Sequence, residues 1–271
     1  MELQQIGIGH PAVKDVLAIQ RNTAPNRFDL VVADGLWAVK LVLDLGLRVD
    51  KFFYCPELVR SEDAKGRAEE LFTRARRSFE VSAKTLERMS ERGEPDGLLV
   101  LAEMPKWYPE QIDLGDSALV LVTDGIEIPG NLGTLIRTLD AAKADLLVMT
   151  NRRTRMSHPK VFRGSQGMSL SVPHIEFEDT ADAISWLKRN RFAVYLADTD
   201  DSKNYRNLDY VGRTAIVVGS ERYGISKPWY DHGFSRVGVP MLGTADSLNV
   251  SVSASILLYE ARAHKDRWSP S

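Results

Sequence analysis

Between Pro11 and Glu103 the hydrophobic pattern switches repeatedly between a helical period and short apolar runs. PAVKDVLAIQ (11–20) predicts a helix with Pro11 in its first turn, where a missing N–H costs nothing, and RNTAPNR (21–27) predicts a loop. FDLVVAD (28–34) reads as a strand, GLWAVKLVLDLG as a helix closed by Gly46, and VDKFFYC as a second strand stopped before Pro56. A charged helix from about Ser61 to Arg77, a short strand near 79–81, the helix SAKTLERMS and the strand GLLVLAE (97–103) follow. Strands and helices in turn describe a small α/β domain over residues 1–104. MPKWYPEQIDLGDS then carries two prolines and no periodicity, which predicts a linker over 105–116.

The second domain, 117–271, opens on ALVLVTD (118–124), an apolar run of the kind expected for a strand covered on both faces. The loop GIEIPG leads into a helix expected from Asn131. DLLVM, FAVYLAD, TAIVV and RVGV supply four further strands, with helical stretches around Phe162, Ser185 and Trp229. The prediction is a mostly parallel sheet with helices on both faces, whose ligands sit beyond the carboxyl ends of the strands. Pro240 stops the last strand, and MLGTADS forms a loop before a helix that Ser247 or Asn249 caps. Alternation of Leu248, Val250 and Val252 leaves a strand open at that point.

Composition narrows the functional classes. With 271 residues there is length for two domains, and a formal net charge of -2 confines any nucleic-acid contact to a local patch. The single cysteine, Cys55, offers neither an intrachain disulfide nor a metal cluster. The start lacks a basic region followed by a long apolar run, and no apolar stretch reaches about 18 residues, so a cytoplasmic chain without a membrane span is expected. In the first domain Arg60, Lys65, Arg67, Arg74, Arg76 and Arg77 read equally as a phosphate-facing surface or as a solvated helix balanced by Glu62, Asp63, Glu69 and Glu70.

Three stretches carry candidate chemistry. IPGNLGTLIRT (128–138) reads as a loop-to-helix anion site, with Asn131 as helix cap and the Arg137 guanidinium able to grip a phosphate. In VVGSERYGISKP (217–228) a buried strand runs into Gly219, Ser220 and Glu221, a strand-tip carboxylate whose partner is Arg137, a ligand hydroxyl or Arg222. VPMLGTADSLNVSVSASILLY (239–259) places small polar residues at a helix start, a place suited to a carboxylate or an adenine ring. Beside them, NRRTRMSHPKVFRGSQG (151–167) gathers Arg152, Arg153, Arg155, Lys160 and Arg163 into a basic loop fit for an RNA backbone. The chain has no dinucleotide fingerprint, no P-loop and no metal-ligand spacing, and its five histidines sit in no pattern that names a base.

In this order and spacing, NLGTLIRT, VVGSERYGIS and VPMLGTADSLNVSVSASI resemble the three motifs of the SpoU (TrmH) class of SPOUT RNA 2'-O-methyltransferases. ADGLWAVK and PDGLLVLAE are similar to stretches of the ribosomal-protein-like substrate-binding domain that precedes the catalytic domain in many rRNA-modifying members. The resemblance implies a deep trefoil knot, a homodimer with sites drawn from both subunits, and S-adenosylmethionine bent against Gly219, Val239 and Leu248, with Ser220, Met241 and Asn249 beside them. Asn131, Arg137, Glu221, Ser247 and Asn249 match the family's functional positions, whereas Arg222 and Tyr223 replace smaller residues at the pocket mouth. It implies methylation of a ribose 2'-OH, in large-subunit rRNA before tRNA, with antibiotic resistance as one possible role. The other reading is an inactive RNA-binding assembly factor.

Overall fold

A computed structural model describes residues 3–266 except Ala24 and Arg27, which lie outside the described residues of the expected 21–27 loop. The chain forms two compact units, residues 1–105 with 157–162, and residues 106–156 with 163–271.

The first unit contains β1 (Gln4–Gln5), α1 (Pro11–Arg21), β2 (Leu30–Asp34), α2 (Leu36–Asp44), β3 (Val49–Tyr54), α3 (Glu62–Arg74), β4 (Arg77–Glu80), α4 (Ala83–Met89) and β5 (Leu98–Glu103). Its sheet runs β1-β4-β3-β5-β2, with β5 antiparallel to β2 and β3. Apolar positions of α1 and α4, among them Val13, Val16, Leu86 and Met89, pack on Phe53, Phe79, Leu99 and Leu101 of the strands. Ser61 and Ser82 cap α3 and α4 by accepting the N–H groups of Ala64 and Thr85. The cations of α3 are largely spent on their own helix: Lys65 pairs with Glu62, while Arg67 and Arg74 share Glu70. These pairs give α3 the arrangement of a solvated helix face.

The second unit contains β6 (Leu119–Asp124), α5 (Pro129–Ala141), β7 (Leu146–Thr150), α6 (Pro159–Gly164, its first residues with the other unit), β8 (His174–Glu176), α7 (Thr180–Arg189), β9 (Ala193–Ala197), β10 (Lys203–Asn204), β11 (Thr214–Gly219), α8 (Lys227–Tyr230), β12 (Ser235–Gly238) and α9 (Val250–Asp266). Its sheet runs β10-β12-β9-β11-β6-β7-β8, and every pairing is parallel. Every residue of β6, β7 and β11 is buried, as strands covered on both faces require. One face carries Val120, Val122, Val217, Ile184, Leu187 and Trp229, with Trp107, Ile112 and Leu114 of the Pro-containing stretch packed on the same core. Against the other face lie α5 and α9, joined by a Thr138–Ser255 hydroxyl contact of 3.1 Å and by Arg262 Nε, which donates to the Ala142 carbonyl at 2.8 Å.

The short strands β8 and β10 have two or three residues each, too few for periodicity to register. Residues 250–266 are helical, which settles the helix-or-strand alternative of the sequence. Chain order leaves β6 in one direction through β7 and β8 and in the other through β11, β9 and β12. The sheet therefore has a switch point, and the carboxyl ends of β9, β11 and β12 open together on one side of it.

Candidate functional site

At those carboxyl ends lies a cleft of about 490 Å³, a volume within the range of small-molecule sites. The strand tips Gly219, Ser220, Glu221, Val239 and Met241 line it on one side, Ser247, Leu248 and Asn249 on another, and Asn131 from α5 on a third. Every cofactor-site residue expected from the sequence thus borders one cavity, together with four of the five expected catalytic ones.

The local chemistry that assembles the cleft differs from the sequence reading in one respect. Asn131 does not cap α5; the cap position is Ile128, Pro129 takes the first turn, and Ile128 has no side chain that can cap. Glu221 instead reaches the chain just before this helix from the tip of β11. Its Oε2 accepts the Glu127 N–H at 3.1 Å, and its Oε1 accepts both the Ile128 N–H at 3.3 Å and Asn131 Nδ2 at 2.7 Å. A carboxylate at a helix N-terminus is favoured by the helix dipole as well as by these bonds. Neither Arg137 nor Arg222 is its bonded partner. Burial pushes the Glu221 carboxyl up, but the hydrogen bonds from Asn131 and from backbone N–H groups outweigh it and hold the group below the ordinary glutamate range.

Asn131 faces the other way too. Its Oδ1 accepts Asn249 Nδ2 at 3.3 Å, and its carbonyl accepts Ser251 Oγ at 3.1 Å. Asn249 in turn caps α9, accepting the Ser251 N–H at 2.9 Å. One asparagine therefore ties three stretches that lie 90 and 118 residues apart along the chain into a single polar bridge.

Gly219 is where close approach is mandatory. A Cβ there would lie 2.0 Å from the Gly224 carbon and 2.1 Å from the Ile225 nitrogen, because the chain turns back on itself through the paired Ser220 and Gly224.

Two positioning groups escaped the sequence reading. Asp124, 2% exposed at the end of β6, accepts Thr150 Oγ1 at 2.9 Å, Asn151 Nδ2 at 2.6 Å and the Ser226 N–H at 2.7 Å. It locks the loops after β7 and β11 to the β6 tip. Asp198, just past β9, lines the cleft and accepts Tyr230 Oη at 2.7 Å. The signal for both was the one used for Glu221, a carboxylate closing an apolar strand, and ALVLVTD and FAVYLAD both end that way.

Arg137 is the expected catalytic residue that the chain does not bring to its own cleft. It is exposed on α5, six residues beyond Asn131, which places it about 9 Å further along the helix axis and on a different face. The basic loop stands outside the cleft as well. Arg152 Nε donates to Glu176 Oε1 at 2.5 Å, Arg155 is half-buried, and Arg153, Lys160 and Arg163 are exposed. Among the described residues no group of three or more His, Cys, Asp or Glu side chains is placed to hold a metal ion, and no helix is long and apolar enough to cross a membrane.

Residues 118–259, which hold all of this geometry, match the family model of the SpoU rRNA Methylase family. The chain belongs to that family. A putative TrmH family tRNA/rRNA methyltransferase of Staphylococcus aureus (strain MSSA476) is 35% identical over 159 residues, 59% of this chain and 64% of the relative. The chain thus spans under two thirds of the length of that relative. Among solved structures, an AdoMet-bound rRNA methyltransferase from Sinorhizobium meliloti is similar with a TM-score of 0.87 and 25% identity, covering 96% of this chain and 98% of that one. An RNA 2'-O ribose methyltransferase is similar with a TM-score of 0.78 and 27% identity, covering 97% and 99%. The second unit has the α/β fold with a parallel sheet of SPOUT methyltransferases.

Proposed function

We propose that this SpoU-family chain is an S-adenosylmethionine-dependent methyltransferase acting on a ribose 2'-OH of RNA, with large-subunit rRNA as the substrate. The observation that carries the reading is the Asn131 bridge, which draws Glu221 and Asn249 to the wall of one cleft. The cleft suits the cofactor chemically. Val218, Val239, Met241, Leu248 and Leu257 offer apolar surface for an adenine ring, while Ser247, Ser253 and Asp198 offer polar groups for its sugar and amino-acid parts. When bound, that cofactor supplies an electrophilic methyl group. The AdoMet-bound S. meliloti enzyme, similar along both units, supports cofactor and rRNA, and the RNA 2'-O ribose methyltransferase supports the ribose as acceptor.

The protein's part is placement. Holding the 2'-oxygen in line with the methyl carbon is worth about 7–11 kcal/mol when the alignment is good. A guanidinium is a poor proton acceptor, so Arg137 acts by holding the RNA phosphate or the developing oxyanion while water or the phosphate takes the proton. Because Arg137 is exposed and away from its own cleft, we read the active species as a homodimer in which Arg137 of one protomer serves the cleft of its partner. Arg152, Arg153, Arg155, Lys160 and Arg163 form the proposed backbone grip, and residues 1–104 the proposed RNA-binding domain. The stretch 239–249 and α9 complete the proposed trefoil knot, and the setting is cytoplasmic.

Calorimetry tests the cofactor directly. The protein is expected to release or absorb heat with both S-adenosylmethionine and S-adenosylhomocysteine at one site per chain; silence with both overturns the reading in favour of an RNA-binding protein without the reaction.

A further inference from the structure

Two carboxylates line the cleft, Glu221 and Asp198, and their hydrogen-bond inventories differ. Glu221 is committed to the protein, with three donors converging on its two oxygens. Asp198 accepts one bond on each oxygen, from the Asp200 N–H at 3.0 Å on Oδ1 and from Tyr230 Oη at 2.7 Å on Oδ2. A carboxylate has about four acceptor sites, so Asp198 keeps capacity on both oxygens for a ligand.

Its setting holds it fixed. Tyr230 sits half-buried in the cleft wall at the end of α8, and the Arg236 guanidinium lies 4.9 Å over its ring. Burial first, then the bond to Asp198, pushes the Tyr230 phenol far above its ordinary range, so it remains a donor to Asp198. From the neighbouring strand Gly238 closes in on the same segment: a Cβ there would lie 2.8 Å from the Asp198 carbonyl and 2.1 Å from Ser202 Oγ. The carboxylate is therefore anchored at a strand tip of a parallel sheet, between the tips of β11 and β12.

A fixed carboxylate with a free acceptor site on each oxygen matches a vicinal diol, whose two hydroxyls donate in parallel. Acidic side chains at strand tips of open parallel sheets recognise a ribose in this way. We infer that Asp198, positioned by Tyr230, is the specificity-determining group that reads the 2'- and 3'-hydroxyls of the cofactor's ribose. The inference rests on the proposed cofactor and goes beyond it by assigning which side chain selects a ribonucleoside ligand.

The test is a cycle on the full-length chain with two ligands, S-adenosylhomocysteine and its 2'-deoxyadenosyl counterpart, measured by calorimetry. Asp198→Ala is expected to weaken S-adenosylhomocysteine by about 10–100-fold, the loss that follows from removing a charged acceptor. The same substitution weakens the deoxy ligand by a smaller factor, because only its 3'-hydroxyl contact is lost, and Tyr230→Phe reproduces the ligand selectivity with a smaller loss. Asp198→Asn, which keeps one acceptor oxygen, falls between the wild type and Asp198→Ala and controls for folding. Equal affinities for wild type and Asp198→Ala overturn the assignment, as does an equal loss for both ligands, which assigns Asp198 to loop support. No binding of S-adenosylhomocysteine by the wild type removes the proposed cofactor itself, a result distinct from the other two.

Discussion

Arg137→Ala is expected to lower methyl transfer by about a thousandfold while S-adenosylhomocysteine binds as in the wild type. The size follows from removing a preorganised charged donor from a developing oxyanion, which costs about 10²–10³ in rate, compounded by lost alignment of the RNA phosphate. Unchanged cofactor affinity follows from geometry, because Arg137 is exposed on α5 and absent from the lining of its own cleft. The same geometry gives a sharper result when subunits are mixed. In the proposed homodimer, Arg137→Ala protomers combined with Glu221→Ala protomers should regain activity, since a mixed pair would contain one cleft with an intact Glu221 served by an intact Arg137. Turnover unchanged in Arg137→Ala removes this residue from the chemistry. A mixture as inactive as its parents removes the sharing between protomers.

The second large effect concerns Glu221. Replacing it with Gln puts an NH₂ group where an oxygen now accepts a backbone N–H, and replacing it with Ala leaves the Glu127 and Ile128 N–H groups and Asn131 Nδ2 without their acceptor. At a solvent-accessible position each bond contributes about 1 kcal/mol, so Glu221→Ala should destabilise the second unit by roughly 2–3 kcal/mol and lower its melting temperature by about 5 °C or more. Cofactor affinity should fall in parallel, because the Gly219–Glu221 turn and Asn131 both border the cleft.

The pH dependence has a defined sign. The Glu221 carboxyl is held below its ordinary range, so the unfolded chain binds its proton more readily. The stabilisation is complete above the unfolded-state value, near the ordinary glutamate pKa of about 4.3, and disappears as pH falls through the lower folded-state value. The stability gap between wild type and Glu221→Gln should therefore be widest at neutral pH and close in acid. A gap independent of pH contradicts the role given to the carboxylate.

The long elements were legible in the sequence because each satisfies one period over many residues. ALVLVTD and TAIVV, each built on an apolar run, became the adjacent central strands β6 and β11, and Pro11, Ser61 and Ser82 mark helix starts. What the sequence hid is pairing at a distance. Asn131 has the chemistry of a cap, yet Pro129 already starts the helix, and the carboxylate that binds the Asn131 side chain and the two amides before the helix comes from a residue 90 positions after Asn131. Nothing local in GSERYGIS reveals that. Asp124 and Asp198 were readable in principle by the strand-tip rule, while the separation of Arg137 from its cleft follows only from the helix phase fixed by Pro129.

Transfer of a methyl group to a ribose hydroxyl of RNA is read by ribose-methylation mapping of total RNA from cells that contain the protein and from cells that lack it. One 2'-O-methylated nucleotide in large-subunit rRNA is expected to disappear with the protein, to return with the wild-type chain and not to return with Arg137→Ala. Identical methylation maps in the two cell populations would rule out the proposed methyl transfer.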